Sequence, residues 1–393
     1  MRVYLDYNAT TPVAPEVLEA MLPYFTHAYG NASSIHSPGQ EARSAVEDAR
    51  ESVASLIGGK PAEIVFTSGG TEADNLAIFG IVAGASAKRH VITSAIEHHA
   101  VLHGCEKLQS DGVDVTFLPV GSDGIVEPDE VRRALRPETA LISVMHANNE
   151  LGTIQPIEEI GAIAREADVY FHTDAVQTAG KLPIDVNRLG VDLLSLSAHK
   201  IYGPKGTGAL FVKSGTRLEP LFFGGHHERD RRPGTENVAG IVGMGRAAAI
   251  AARSVIDEAS RIAELRDRLE NSLLTAIPQC RVNGRQDKRT ANTSNMTFSF
   301  AEGESLVIAL DLRGVACSTG AACSSGAVEP SHVLKAIGLP PEDGRSSIRF
   351  SLGRETSADE IEFALDVIPA AVEHLRELSP AYSPADGKTA PVR

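Results

Sequence analysis

The chain has no tryptophan, only 5% aromatic residues and four cysteines among its 393 residues. Those cysteines, Cys105, Cys280, Cys317 and Cys323, are too few and too scattered to form a disulfide framework. No apolar run reads as approaching a membrane span, so no transmembrane helix is expected. Basic residues are outnumbered, and the net charge of −14 argues against non-specific binding to nucleic acid or to an anionic membrane. No basic-then-apolar leader precedes Val3-Tyr-Leu-Asp6, so nothing marks the chain for export and a reducing cytoplasm is the expected location. Internal repeats are also missing.

What remains is a globular composition, 42% hydrophobic and 22% charged, at a length that calls for two domains. From about Pro15 to Leu210, helical and strand-like segments alternate. A helix is expected over Pro38–Leu56, with Ser37 as N-cap and Pro38 at the first helical position. Short apolar runs read as strands: Ile64–Thr67, His90–Thr93, Val113–Leu118, Leu141–Met145, Val169–Phe171, Leu193–Leu196 and Gly208–Val212. Runs apolar on both faces and spaced by helices imply an α/β fold, a mostly parallel sheet covered on both sides. An Ala/Arg/Glu-rich helix over Val238–Ala276 would bridge to a smaller α+β domain, with strands near Ser294–Phe300 and Ser347–Ser351 and helices near 304–312, 331–337 and 358–376. The expected division is 15–255 for the large domain and 1–14 with 256–378 for the small one. The Pro/Ala/Ser/Gly-rich tail 379–393 is expected to be disordered.

The most informative stretch is Asp192-Leu-Leu-Ser-Leu-Ser-Ala-His199-Lys200, a lysine just past an apolar strand. Upstream, Phe171-His-Thr-Asp174-Ala-Val-Gln177 ends another strand with a carboxylate. A lysine and an aspartate at neighbouring strand ends suit a pyridoxal-phosphate site, where the lysine forms the Schiff base and the aspartate keeps the pyridine nitrogen protonated. Thr67-Ser-Gly69-Gly70-Thr71 follows a strand and opens a helix, so its free N–H groups and dipole favour a phosphate. Glu97-His98-His99-Ala100 lies at the next such junction, and His98 is placed to stack on a ring. Met145-His-Ala-Asn-Asn149-Glu150 brings amides to a third. Ligands of open parallel sheets bind beyond the carboxyl ends of strands, where all these groups fall. His99 and His103 stand i,i+4 on a helix, but no acidic partner or second histidine pair completes a metal site, so they read as solvated or capping residues.

Cys317-Ser-Thr-Gly320-Ala-Ala-Cys323-Ser-Ser-Gly326 holds two cysteines among small residues. Cys317 adjoins the apolar Leu312–Ala316 segment and reads as structural. Cys323 has little beside it to bury it and is placed for nucleophilic attack, against the ordinary alternative of a buried thiol acting as a small hydrophobe.

Taken together, the motifs resemble the cysteine desulfurases of the NifS/IscS type, within the fold-type I pyridoxal-phosphate enzymes. The match runs from Tyr4-Leu-Asp-Tyr-Asn-Ala-Thr-Thr-Pro12 through Ser-Ala-His-Lys200 and Arg232-Pro-Gly-Thr-Glu-Asn237 to Glu329-Pro-Ser-His332 and Ser347-Ile-Arg-Phe-Ser-Leu-Gly-Arg354. The resemblance implies a homodimer that removes sulfur from L-cysteine, giving L-alanine and a persulfide on Cys323. Lys200 would carry the cofactor and act as base, Asp174 would pair with the pyridinium, and His98 would stack on the ring. Gln177 and Asn149 would bond the phenolic oxygen, with Asn149 also near the substrate. Gly70, Thr71, Ser197 and His199 would hold the phosphate, joined by Thr235 of the second subunit. Arg349 would clamp the substrate carboxylate.

The 25 residues between Cys323 and Arg349 resemble the branch that supplies iron–sulfur scaffold proteins. Gly225-His226-His227-Glu228, Asp230 and Ala321-Ala322 depart from the usual pattern, and the tail has no apolar, histidine-ended extension. These departures bear on partner choice. An aminotransferase or another β-lyase would keep Lys200 and Asp174 but leave Cys323 idle. A sulfur-relay protein without catalysis would have no use for Lys200, Asp174, His98 and Cys323 together.

Overall fold

In the computed structural model, the described residues are 1–85, 88–319, 330–380 and 382. Their strands are β1 (Val3–Tyr4), β2 (Ile64–Thr67), β3 (His90–Ser94), β4 (Asp114–Leu118), β5 (Thr139–Ser143), β6 (Tyr170–Asp174), β7 (Leu193–Ser197), β8 (Gly208–Val212), β9 (Cys280–Val282), β10 (Thr293–Phe298), β11 (Val315–Ala316) and β12 (Ser347–Ser351). Seven of them form one sheet in the order β2-β8-β7-β6-β5-β3-β4. Its pairings are parallel from β7 through β6, β5 and β3 to β4, whereas β8 runs antiparallel to both β7 and β2. The chain moves outward from β3 to β4 and then crosses back to β5, so the strand order reverses beside β3 and opens a crevice at the carboxyl ends.

Burial explains the strand composition. β2, β3, β5, β7 and β8 are buried at every residue, while the edge strand β4 exposes Asp114. One core, with Val46, Val53, Ile92, Ile142, Phe171 and Leu194, fills one sheet face. A second, with Leu76, Ile81, Val91, Leu141 and Leu210, fills the other. A third core, with Leu5, Leu269, Met296, Phe298, Ile348, Phe350 and Ile361, lies around the antiparallel sheet β12-β10-β9.

The helix Val238–Ala276 is long and apolar enough to cross a membrane by composition alone. Its first half instead gives Ile241, Met244, Ala247 and Ala248 to the first core, and its second half gives Ile262, Leu269 and Leu273 to the third. It therefore joins the two regions as a shared core helix.

Two local expectations change. The helix after residue 36 spans Ser37–Leu56 and is capped by His36, not Ser37. The His36 backbone is extended, and its Nδ1 accepts from the Gly39 N–H at 3.3 Å, so Ser37 already has helical geometry. β6 begins at Tyr170 and runs on to Asp174, placing the carboxylate on the strand's last residue.

Candidate active site

Gly70, Thr71, His98, Asn149, Asp174, Gln177, Ser197, His199 and Lys200 line a single cavity of about 270 Å³ at the carboxyl ends of the sheet. Each arrives there through its strand. β2 leads into the helix Gly70–Gly84, β3 into the helix His99–Ser110, β6 ends on Asp174, and β7 runs into the single turn Ala198–Lys200.

Lys200 Nζ donates to the backbone carbonyls of Asn8, at 2.5 Å, and Ala9, at 2.8 Å. Burial, then the charge of Arg349, lower its pKa to about 8, partly offset by Asp174 and Asp6. A lysine so shifted holds a usable fraction of neutral amine near neutral pH. Asp174 Oδ1 accepts from the Val176 N–H at 2.8 Å. Burial raises its pKa to about 6, against the Val176 bond and the Lys200 charge, which lower it. Such a carboxylate gains from a cationic partner placed against it.

Behind it lies Asp74, 1% exposed, whose Oδ1 has no hydrogen-bond partner among the described residues. Burial and the nearby Asp174 push its pKa upward, against a bond from Ser195.

His98 caps its helix: the Ala100 N–H donates to Nδ1 at 3.1 Å, so the neutral ring carries its proton on Nε2. The ring is open to the cavity, yet enough protein surrounds it to push its pKa down to about 4, with Lys200 adding to the effect. His199 shares that neutrality, at about 4, from burial and then Lys200, and its Nδ1 lies 3.1 Å from Thr10 Oγ1.

A Cβ on Gly70 would come within 2.9 Å of Val176 Cγ2, so a side chain there would fill the cradle at the helix start. Free N–H groups at that end, a buried carboxylate, an amine of lowered pKa and a flat neutral imidazole form a donor set that fits pyridoxal phosphate.

Arg349 stands on β12, outside the large sheet. Its Nη2 donates to Asp6 Oδ1 at 2.6 Å and its Nη1 to the Asn149 carbonyl at 3.0 Å. Thr235 is exposed and does not line this cavity. Cys323 lies outside the described residues. The thiols of Cys105 and Cys280 are pushed up to about 12 by burial, and burial raises Cys317 as well, so none of these three is a ready thiolate. His99 and His103, read as solvated or capping, stack on each other at 4.8 Å, and His99 meets His332 at 4.8 Å.

Three further residues join the site. Asn8, 3% exposed, accepts at its backbone carbonyl from Lys200 and from Gln177 Nε2, and its Nδ2 donates to the Asn149 carbonyl. Asp6 holds Arg349, and Lys181 bonds Asn8 and Gln177. Asp6 and Asn8 fall in the Tyr4–Pro12 motif, which carried the resemblance but named no role. Lys181, four residues after Gln177, left only that spacing as a signal.

The class-V aminotransferase profile matches residues 3–363, and the chain belongs to that family, whose members use pyridoxal 5'-phosphate. Within it, the chain is 52% identical over 379 residues to the cysteine desulfurase IscS of Dictyoglomus turgidum, covering 96% of each chain. Among solved structures, a NifS-like protein has a TM-score of 0.90 at 37% identity, covering 95% of this chain and 100% of that one. SspA in complex with cysteine has a TM-score of 0.80 at 40% identity, over 90% of this chain and 99% of that one.

Proposed function

We propose that this protein is a pyridoxal-phosphate-dependent cysteine desulfurase, converting L-cysteine to L-alanine and holding the removed sulfur as a persulfide on Cys323. The observation that carries the reading is the single cavity holding the Lys200 amine, the buried Asp174 carboxylate and the Gly70 cradle. The long identity with curated cysteine desulfurases supports it.

When bound, pyridoxal phosphate supplies an electron sink for the bond being broken at the substrate Cα. Lys200 would hold the cofactor through its amine and, as the free amine, would take the substrate Cα proton. Its lowered pKa suits an amine that must accept and return a proton near neutrality. Asp174 would hold the proton on the ring nitrogen through its charge. His98, neutral and fixed by its helix cap, offers a flat face. Asn149 and Gln177 would meet the ring oxygen, while Gly70, Thr71, Ser197 and His199 would hold the phosphate. Arg349 receives the substrate carboxylate, keeping the β-carbon oriented toward the thiol. The Cys323 thiolate then attacks the substrate sulfur: an S–S bond forms, the Cβ–S bond breaks, and its electron pair stays with the three-carbon skeleton that leaves as alanine. An aminotransferase would leave this thiol without a task.

The active unit in this reading is a homodimer in the cytoplasm, and Thr235 of each subunit completes the other's phosphate site. The exposed Phe222 and Phe223, 51% and 92% accessible, support an interface near that segment. Residues 15–255 form the cofactor-holding domain, and 1–14 with 256–378 form the domain bearing Cys323. The persulfide passes to an iron–sulfur scaffold protein or another sulfur acceptor.

Incubation with L-cysteine and a reductant tests the assignment. Wild-type protein is expected to release alanine and sulfide in equal amounts, and Cys323→Ser to lose nearly all of both. Full activity in Cys323→Ser would remove the thiol from the mechanism and make the protein a different lyase.

A further inference from the structure

Lys181 follows Gly180 in the turn after β6. Gly180 has φ +71°, and a Cβ there would come within 2.8 Å of Ile201 Cγ2 and 3.1 Å of Ala251 Cβ. Lys181 lines, with Gly180 and Lys200, the pocket that adjoins the cofactor cavity. Its Nζ donates to Gln177 Oε1 at 2.9 Å and to Asn8 Oδ1 at 3.1 Å.

The other bonds of each amide identify the atom facing Lys181 as its oxygen. Asn8 Nδ2 donates to the Asn149 carbonyl at 3.1 Å and to Thr293 Oγ1 at 2.9 Å, while Asn292 Nδ2 donates to Asn8 Oδ1 at 2.9 Å. Gln177 Nε2 donates to the Asn8 backbone carbonyl at 3.1 Å. A carbonyl can only accept, so the amide nitrogen of Gln177 faces Asn8 and its oxygen faces Lys181. One N–H of Gln177 then remains for the cavity that this side chain lines.

We propose that Lys181 is a positioning residue: by binding Gln177 Oε1 it locks the amide so that Gln177 presents an N–H, and not an oxygen, to the ring oxygen of the cofactor. The inference rests on the pyridoxal-phosphate reading of the cavity. The same ammonium, through Asn8, braces the carbonyl on which Lys200 rests. Burial, and then the charges of Lys200 and Arg349 facing it, lower the pKa of Lys181 to about 7. Tyr7, Tyr202, Glu258 and Arg354 line the adjoining pocket. An anionic ring oxygen nearby would favour the protonated Lys181, reinforcing the lock when the cofactor is present.

The test is a double-mutant cycle on the dissociation constant of pyridoxal 5'-phosphate, read by its visible absorbance with the protein at fixed pH. Lys181→Met is expected to weaken binding about tenfold in the wild-type background and to shift the absorbance band. In a Gln177→Ala background the same change should alter binding by less than about twofold, because the amide it positions is gone. An unchanged constant in Lys181→Met, or an equal loss in both backgrounds, overturns the proposal. Should Lys181→Met not fold, Gln177→Glu decides. Its carboxylate pairs with Lys181 and offers the ring oxygen only an acceptor, so binding should weaken at least about tenfold, and wild-type affinity would overturn the proposal. Wild-type protein that takes up no pyridoxal 5'-phosphate would instead refute the cofactor reading.

Discussion

The two sides of the site are built in different ways. On the cofactor side, Gly70, His98, Asp174 and Lys200 each follow their own strand of the large sheet by a few residues or end it. Their electrostatics are set mainly by burial, which raises Asp174 and lowers Lys200 and His98. The substrate side is assembled from distant parts of the chain. Arg349 and its partner Asp6 are 343 positions apart, and Arg349 and Asn149 are 200 apart. The sheet therefore fixes the chemistry locally. In the proposed reading the fit of the substrate would depend on the N-terminal segment and β12 docking together, and Asp6 pairs with Ser351 in an isolated parallel bridge at that junction.

If that division is right, damage on the two sides should separate in the kinetics. Lys200→Ala carries the largest expected effect: a loss of at least about a thousandfold in alanine formation, with the absorbance of lysine-bound cofactor gone. Retention of more than a tenth of the activity would show that another base serves. Arg349→Lys should act chiefly on KM for L-cysteine, raising it roughly ten- to a hundredfold, because an ammonium cannot reproduce the planar fork. Asp6→Asn should raise KM a few-fold with kcat nearly unchanged, since Arg349 loses its charged support while keeping the Asn149 carbonyl. A fall in KM would reverse the interpretation, making Asp6 a competitor for the guanidinium.

The same division explains what the sequence could disclose. Lys200 and Asp174 were legible because a strand pattern and a reactive residue occur together within ten residues. The helix Val238–Ala276 was legible from composition, and its bounds agree with the structure. The reversed direction of β8 was not, because an apolar run has the same pattern in either direction. His36 displaced Ser37 as a cap because a ring nitrogen can accept as a hydroxyl does, and only backbone geometry separates the two. Asp6, Asn8 and Lys181 had no local signature of function, since each acquires its role from partners that folding brings near. Cys323 lies outside the described residues, so its proposed role rests on the loop sequence and the resemblance.

Glu97 offers a test, read in stability and with the smallest expected effect on activity, of how fully the cofactor side is governed by burial. Its side chain is inaccessible. Oε1 accepts from Ser94 Oγ at 2.5 Å and from the Met145 N–H at 2.9 Å, while Oε2 has no hydrogen-bond partner among the described residues. Burial raises its pKa to about 8, against those two bonds. Between its ordinary value of 4.5 and about 8, the folded protein keeps a proton that the unfolded chain has released. This group's contribution to stability therefore falls as pH rises through that window and is level above it, by a few kcal/mol in order of magnitude. Glu97→Gln keeps an oxygen for both donors and abolishes the titration. Asp174, at about 6, adds a decline of the same sign, while Lys181 and Lys200, at about 7 and 8, oppose it at higher pH. The difference between mutant and wild type isolates Glu97. With cofactor removed, Glu97→Gln should gain stability relative to wild type steadily from pH 5 to pH 8 in thermal melts. Parallel pH profiles would mean that the carboxyl is already ionised at neutrality, and that hydrogen bonds outweigh burial on this side of the site.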